Sequence, residues 1–135
     1  MMRYEFNIYR TFDKFLDIKF LFVELAPEDW RAYILTDINY QRVSQERSDS
    51  ITDIHRLTEH DESMKTKIFN FIRSNNISYN KQSINYICWS STIKSLDSMR
   101  EVAKTWSEIT SYYIQHGGSF ENIQPRLKAR GLITI

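Results

Sequence analysis

A stripe of apolar side chains at Leu96, Met99, Val102, Ala103, Trp106, Ile109, Tyr113 and Ile114, with Thr110 among them, restricts this chain more than any other feature. Spacings of three and four put all of them on one side of a helix. Ser95 stands where a hydroxyl can accept from a free backbone N–H of the first turn, and Asp97 suits the positive end of the helix dipole. Gly117 supplies the left-handed closing residue, with Gly118 behind it. The spacing therefore predicts one long helix between Ser95 and Gly117. Arg100, Glu101, Lys104, Glu108, Ser111 and Gln115 occupy the other side and read as a solvated face. There Asp97 with Glu101 is a like-charge pair and Lys104 with Glu108 an opposite one, worth tenths of a kcal/mol each.

Such a helix needs an apolar layer beneath it, and four stretches have β composition. Residues 84–89, Ile-Asn-Tyr-Ile-Cys-Trp, are too short for a helix and rich in β-branched and aromatic residues, so they read as a central strand. Tyr4, Phe6 and Ile8 alternate with Glu5, Asn7 and Tyr9, the period of a half-buried strand at the edge or flank of a sheet. Residues 18–25 are almost continuously apolar, as a strand covered on both faces would be. Ala26-Pro27-Glu28-Asp29 makes a turn, and residues 30–38 resume β composition as the second arm of an antiparallel hairpin. Residues 39–50 are polar and read either as a loop or as a solvated helix, the loop slightly favoured.

Ile51, Ile54 and Leu57 fit a short helix or a strand equally well. Met64, Ile68, Phe71 and Ile72 have helical spacing, Asp61 can cap, and Arg73 with Asn75 and Asn76 provides an ending, so a helix is expected over residues 62–74. It is expected to share a sheet face with the long helix or to cap the sheet's end. Ser119 can cap a shorter helix carrying Phe120, Ile123 and Leu127, interrupted or started afresh at Pro125 and with its end marked by Gly131. Leu132, Ile133, Thr134 and Ile135 form a β-like tail suited to pairing with the sheet or a neighbouring subunit. The expected fold is α+β: an antiparallel sheet of about four strands, a long amphipathic helix on one face, and one or two shorter helices.

The chain of 135 residues suits a single domain spanning 1–135, and 18 basic against 17 acidic residues leave no global attraction to nucleic acid or an anionic membrane. A lone cysteine, Cys88, forms no internal disulfide and reads as a small buried hydrophobe, which favours a reducing, cytoplasmic setting. The first residues lack the basic-then-apolar order of a leader. The longest apolar run, Phe20-Leu21-Phe22-Val23, is too short to span a bilayer.

No serine stands in a G-x-S-x-G elbow and no glycine-rich phosphate loop exists among only three glycines. His55, Glu59, His60, Asp61 and Glu62 form the densest cluster of metal-binding or acid/base groups. Its histidines are five apart, where the helical zinc motif needs four, so a hydrated loop before a helix is the plainer reading. No cofactor is expected. Arg126, Lys128 and Arg130 make a small basic patch that would serve nucleic acid, or simply suit the dipole of their own helix. The aromatic residues outnumber what the interior of so small a domain can hold. Tyr9, Tyr33 and Tyr112 are the candidates for a protein interface, where aromatics bring large contact area at little entropic cost. Composition and motifs together favour a small non-enzymatic regulator, inhibitor or adaptor acting on another protein, with self-association at a sheet edge or the terminal strand.

Overall fold

The structure, a computed structural model, describes residues 3–135; Met1 and Met2, on which the reading of the chain's start partly rests, lie outside them. Five strands and three helices follow in the order β1 (Tyr4–Arg10), β2 (Asp17–Ala26), β3 (Asp29–Ile34), β4 (Arg56–Thr58), α1 (Glu62–Ser74), β5 (Asn85–Ile87), α2 (Leu96–His116) and α3 (Phe120–Ala129). The strands form one antiparallel sheet in the order β1-β2-β3-β5-β4. The expected α+β fold is present, with β4 as a fifth strand drawn from the stretch that fitted helix or strand equally.

Every helix starts at the residue its sequence signals. The side chains of Asp61, Ser95 and Ser119 accept from the backbone N–H of Met64, Ser98 and Asn122, respectively. Between β2 and β3 the turn is Pro27-Glu28, with Glu28 at φ 59°. Proline before a left-handed residue is the pattern of a type II turn, and it reverses the chain in two residues.

The α2 face of the sheet carries Ile18, Phe20, Phe22, Trp30, Ala32, Ile34 and Ile87 against Met99, Val102, Trp106 and Ile109. Trp106 lies edge-on to Phe20, and its indole N–H donates to the carbonyl of Ile54 at 3.0 Å, so the largest core side chain leaves no buried donor unpaired. α3 and the buried Ile133 complete this layer. Beyond Gly131 it is Ile133 that fills the core, while Thr134 and Ile135 are exposed, and no residue of this tail pairs as a strand.

Two expectations about faces fail. α1 does not share the α2 face: Met64, Ile68 and Ile72 pack with Leu21, Val23, Tyr33, Leu35 and Ile84 on the opposite side of the sheet. Residues 18–25 serve both layers, which is why their apolar run is unbroken. Nor is the polar side of α2 solvated throughout. From Thr105 to Ser111 each residue is buried, Glu108 and Ser111 included, because the β1–β2 connection folds back over the helix. Lys104 thus has no ion pair with Glu108, whose carboxylate is taken by Tyr9 and Phe12.

Candidate functional site

β1 is the edge strand whose faces are inverted relative to its composition. Glu5 and Tyr9 point toward α2, where Glu5 forms an ion pair with Arg100 at 2.7 Å and Tyr9 meets Glu108. Tyr4, Phe6 and Ile8 point to the α1 side and stay 62%, 37% and 54% exposed. α1 covers β2 and β3 but leaves most of β1 bare, meeting it through Phe71, whose ring centroid lies 6.0 Å from Tyr4 and 5.7 Å from Phe6.

Between α1 and this uncovered strand lies a groove of about 620 Å³. Tyr4, Leu21 and Val23 make its floor; Met64, Lys67, Ile68, Phe71 and Asn75 make its wall along roughly three turns of α1. The side chains in it are apolar apart from Lys67, Asn70, Ser74 and Asn75 at the rim, and no carboxylate lines it. A floor of strands and one wall of helix leave the place that a second helix, lying beside α1 at the usual 8–10 Å, would fill.

The residues singled out from the sequence take separate places. Tyr33 is wholly buried and cannot serve as an interface residue. Its hydroxyl donates to Glu59, which also accepts from Arg31 at 2.7 Å and from the backbone N–H of His60. Burial first, and then the Glu59 carboxylate, push the Tyr33 phenol far above its ordinary pKa. Arg31 also stacks 4.0 Å over the Tyr86 ring. Burial works against its charge, but the hydrogen bond to Tyr33 and the nearby Glu59 outweigh that. Tyr9 and Tyr112 are half-buried; Tyr9 is engaged with Glu108, and Tyr112 accepts from Arg126 at 3.0 Å.

The cluster from His55 to Glu62 does not converge. His55 reaches across to Glu121 on α3 at 2.7 Å, Glu59 turns inward, Asp61 caps α1, and His60 faces water. Among the described residues no group of three metal-ligating side chains comes together. Arg126, Lys128 and Arg130 are all exposed on α3. A spacing of two rotates Lys128 by about 200° from Arg126, so the three do not form one cationic face. Arg126 and Arg130 alone share a side, near Tyr112 and His116. Cys88 is half-buried.

The groove escapes sequence reasoning because its floor alternates like an ordinary half-buried strand, and nothing local says which face receives a cover. Comparison with protein-family models, curated proteins and solved structures finds no match. Among the described residues no helix is long and apolar enough to cross a membrane.

Proposed function

We propose that this chain is a non-enzymatic, intracellular binding protein, a regulator or adaptor, whose groove between β1 and α1 receives an amphipathic helix of another protein. The supporting observation is the uncovered apolar row of Tyr4, Phe6 and Ile8 next to a groove with a strand floor and a single helical wall. Leaving large aromatic and branched side chains half in water forgoes about half of the roughly 1.5–3 kcal/mol per residue that full burial returns. A partner helix recovers it, with apolar residues at i, i+3, i+4 and i+7 on the floor. Lys67 stands at the rim with no carboxylate in the groove, so the helix flank it meets carries Asp or Glu.

A synthetic helical peptide of roughly three turns, with leucines on one face and glutamates beside them, tests this. Titration followed by amide NMR is expected to shift Tyr4, Val23, Ile68 and Phe71. Lys67→Glu is expected to weaken binding by about tenfold or less, as one rim charge would. No binding, or shifts confined to other surfaces, ends the proposal.

A further inference from the structure

The backbone of β1 carries a second message. Glu24 N–H donates to the carbonyl of Arg3 at 2.9 Å, so the Arg3–Glu24 pair is hydrogen-bonded, and pairing continues without a bulge to Arg10–Asp17. In an antiparallel ladder hydrogen-bonded and non-hydrogen-bonded pairs alternate. Glu5, Asn7 and Tyr9 therefore direct their N–H and C=O groups to β2, while Tyr4, Phe6, Ile8 and Arg10 direct theirs outward from the sheet. Among the described residues no other backbone bond takes up Tyr4, Phe6 or Ile8. The residues with bare apolar side chains are thus also those with free backbone groups.

The two edges of the sheet are treated differently. β4 is three residues long. A short edge is a weak template for a foreign strand. β1 is seven residues long and has no proline, no bulge and no charge inside its apolar row. Of the usual devices that stop edge-to-edge pairing, proline and a bulge are absent, and the one charge on the inner face, Glu5, is already neutralised by Arg100 of the same subunit.

We infer that two copies of this chain join antiparallel through β1, with the two-fold axis at Asn7. In that register Phe6 stands opposite Ile8 of the second copy and Tyr4 opposite Arg10, so every outward backbone group of the strand finds its counterpart. The side chains match as well. Phe6 against Ile8 is an aromatic–branched pair, Arg10 lies against a Tyr ring, and Glu5 faces Tyr9 on the other side, with no like charges opposed. Shifting the register by two residues would leave outward groups of the strand without a partner. The dimer extends the sheet through both subunits and sets both α1 helices on one face, so the second copy supplies the other half of an apolar trough. This deepens the groove reading, because Tyr4, Phe6 and Ile8 of two chains then lie between the two helices.

Sedimentation equilibrium of the full chain tests it. The mass is expected to double with concentration, and Ile8→Pro is expected to raise the dimer dissociation constant at least about tenfold. Proline is tolerated there because the Ile8 N–H is not used within the subunit's own sheet. Hydrogen exchange on the unmutated chain gives a second reading that survives a misfolded variant. Phe6 and Ile8 amides become protected as concentration rises, whereas Asn7 is protected at all concentrations. A monomer mass up to about 100 μM, or a dimer in which Phe6 and Ile8 amides exchange freely, overturns the inference. Lys67→Glu is expected to weaken peptide binding without changing the mass, so the dimer and the groove reading can each fail alone.

Discussion

The Tyr9 hydroxyl donates to the Glu108 carboxylate at 2.5 Å, joining β1 to the middle of α2 across 99 positions of sequence. The same carboxylate oxygen accepts from the backbone N–H of Phe12 at 2.9 Å. These two donors are what allow a charged group only 5% exposed to sit in the helix interface. Tyr9→Phe removes one of them without leaving a cavity, and is expected to cost about 1–3 kcal/mol in urea unfolding, the penalty for an under-satisfied buried acceptor. A change below about 0.5 kcal/mol would mean that Phe12 alone satisfies Glu108.

Glu59 ties β3 to the start of α1 through Tyr33, Arg31 and the N–H of His60. Glu59→Ala leaves the buried Tyr33 hydroxyl and the Arg31 guanidinium without their acceptor, with an expected loss of about 3 kcal/mol. Arg31→Met is expected to cost less, since Glu59 keeps Tyr33 and the backbone N–H. The reverse order in thermal melts would show that the Arg31–Tyr86 stack carries the stability instead.

Arg47 closes the end of α2 from outside the helix, its Nε donating to the carbonyls of Tyr113 and Ile114 at 3.0 and 3.1 Å. Gly117 lies at φ 77°, and a Cβ there would meet the Arg47 guanidinium at 3.2 Å. Arg47→Ala is expected to cost about 1–2 kcal/mol, because the carbonyls of Ile114 and Gln115 lose their donor while that of Tyr113 keeps the Gly117 N–H. Gly117→Ala should cost about 1–3 kcal/mol, because φ 77° with ψ −164° is not the left-handed helical closing conformation expected from the sequence but one essentially confined to glycine. Because the added methyl pushes on Arg47, the double variant should lose less than the sum of the two, which a double-mutant cycle reads directly.

Stability should fall at both ends of the pH range for separable reasons. Tyr9 and Tyr33 have phenols pushed upward, by burial first and then by Glu108 and Glu59. A folded pKa above the unfolded one means their contribution is complete below about pH 10 and is lost as pH rises from there through the higher folded value. Tyr33→Phe should flatten this alkaline loss. Asp13 is opposite: burial raises its pKa, but hydrogen bonds from Gln115, the Phe15 N–H, Thr11 and Ser111 outweigh that and leave it lowered. Its contribution is present above about pH 4 and disappears as pH falls below it. Asp13→Asn should reduce the acid sensitivity of the melting temperature; an unchanged acid limb would assign that sensitivity to other carboxylates.

Local chemistry is enough to place most elements. Asp61, Ser95 and Ser119 begin helices because an extended residue with a short acceptor satisfies backbone N–H groups within its own next turn, and that requires no knowledge of the rest of the fold. The hairpin of β2 and β3 is equally local, fixed by Pro27 and the residue after it. The strand over residues 84–89 is shorter than its composition suggests because only Asn85 and Tyr86 find neighbours on both sides and Ile87 finds one on the β4 side alone.

By itself the sequence determined where helices start, where the chain reverses, and that α2 must lie on an apolar sheet. Only the tertiary structure decided which face of β1 is covered, that α1 lies on the far side of the sheet, that Glu108 is interior and that Tyr33 is beyond a partner's reach. The physical reason is that a side-chain period reports alternation without naming the occupied side. Which side is occupied depends on segments distant in sequence: the β1–β2 connection closing over α2, and α1 leaving most of the edge strand bare.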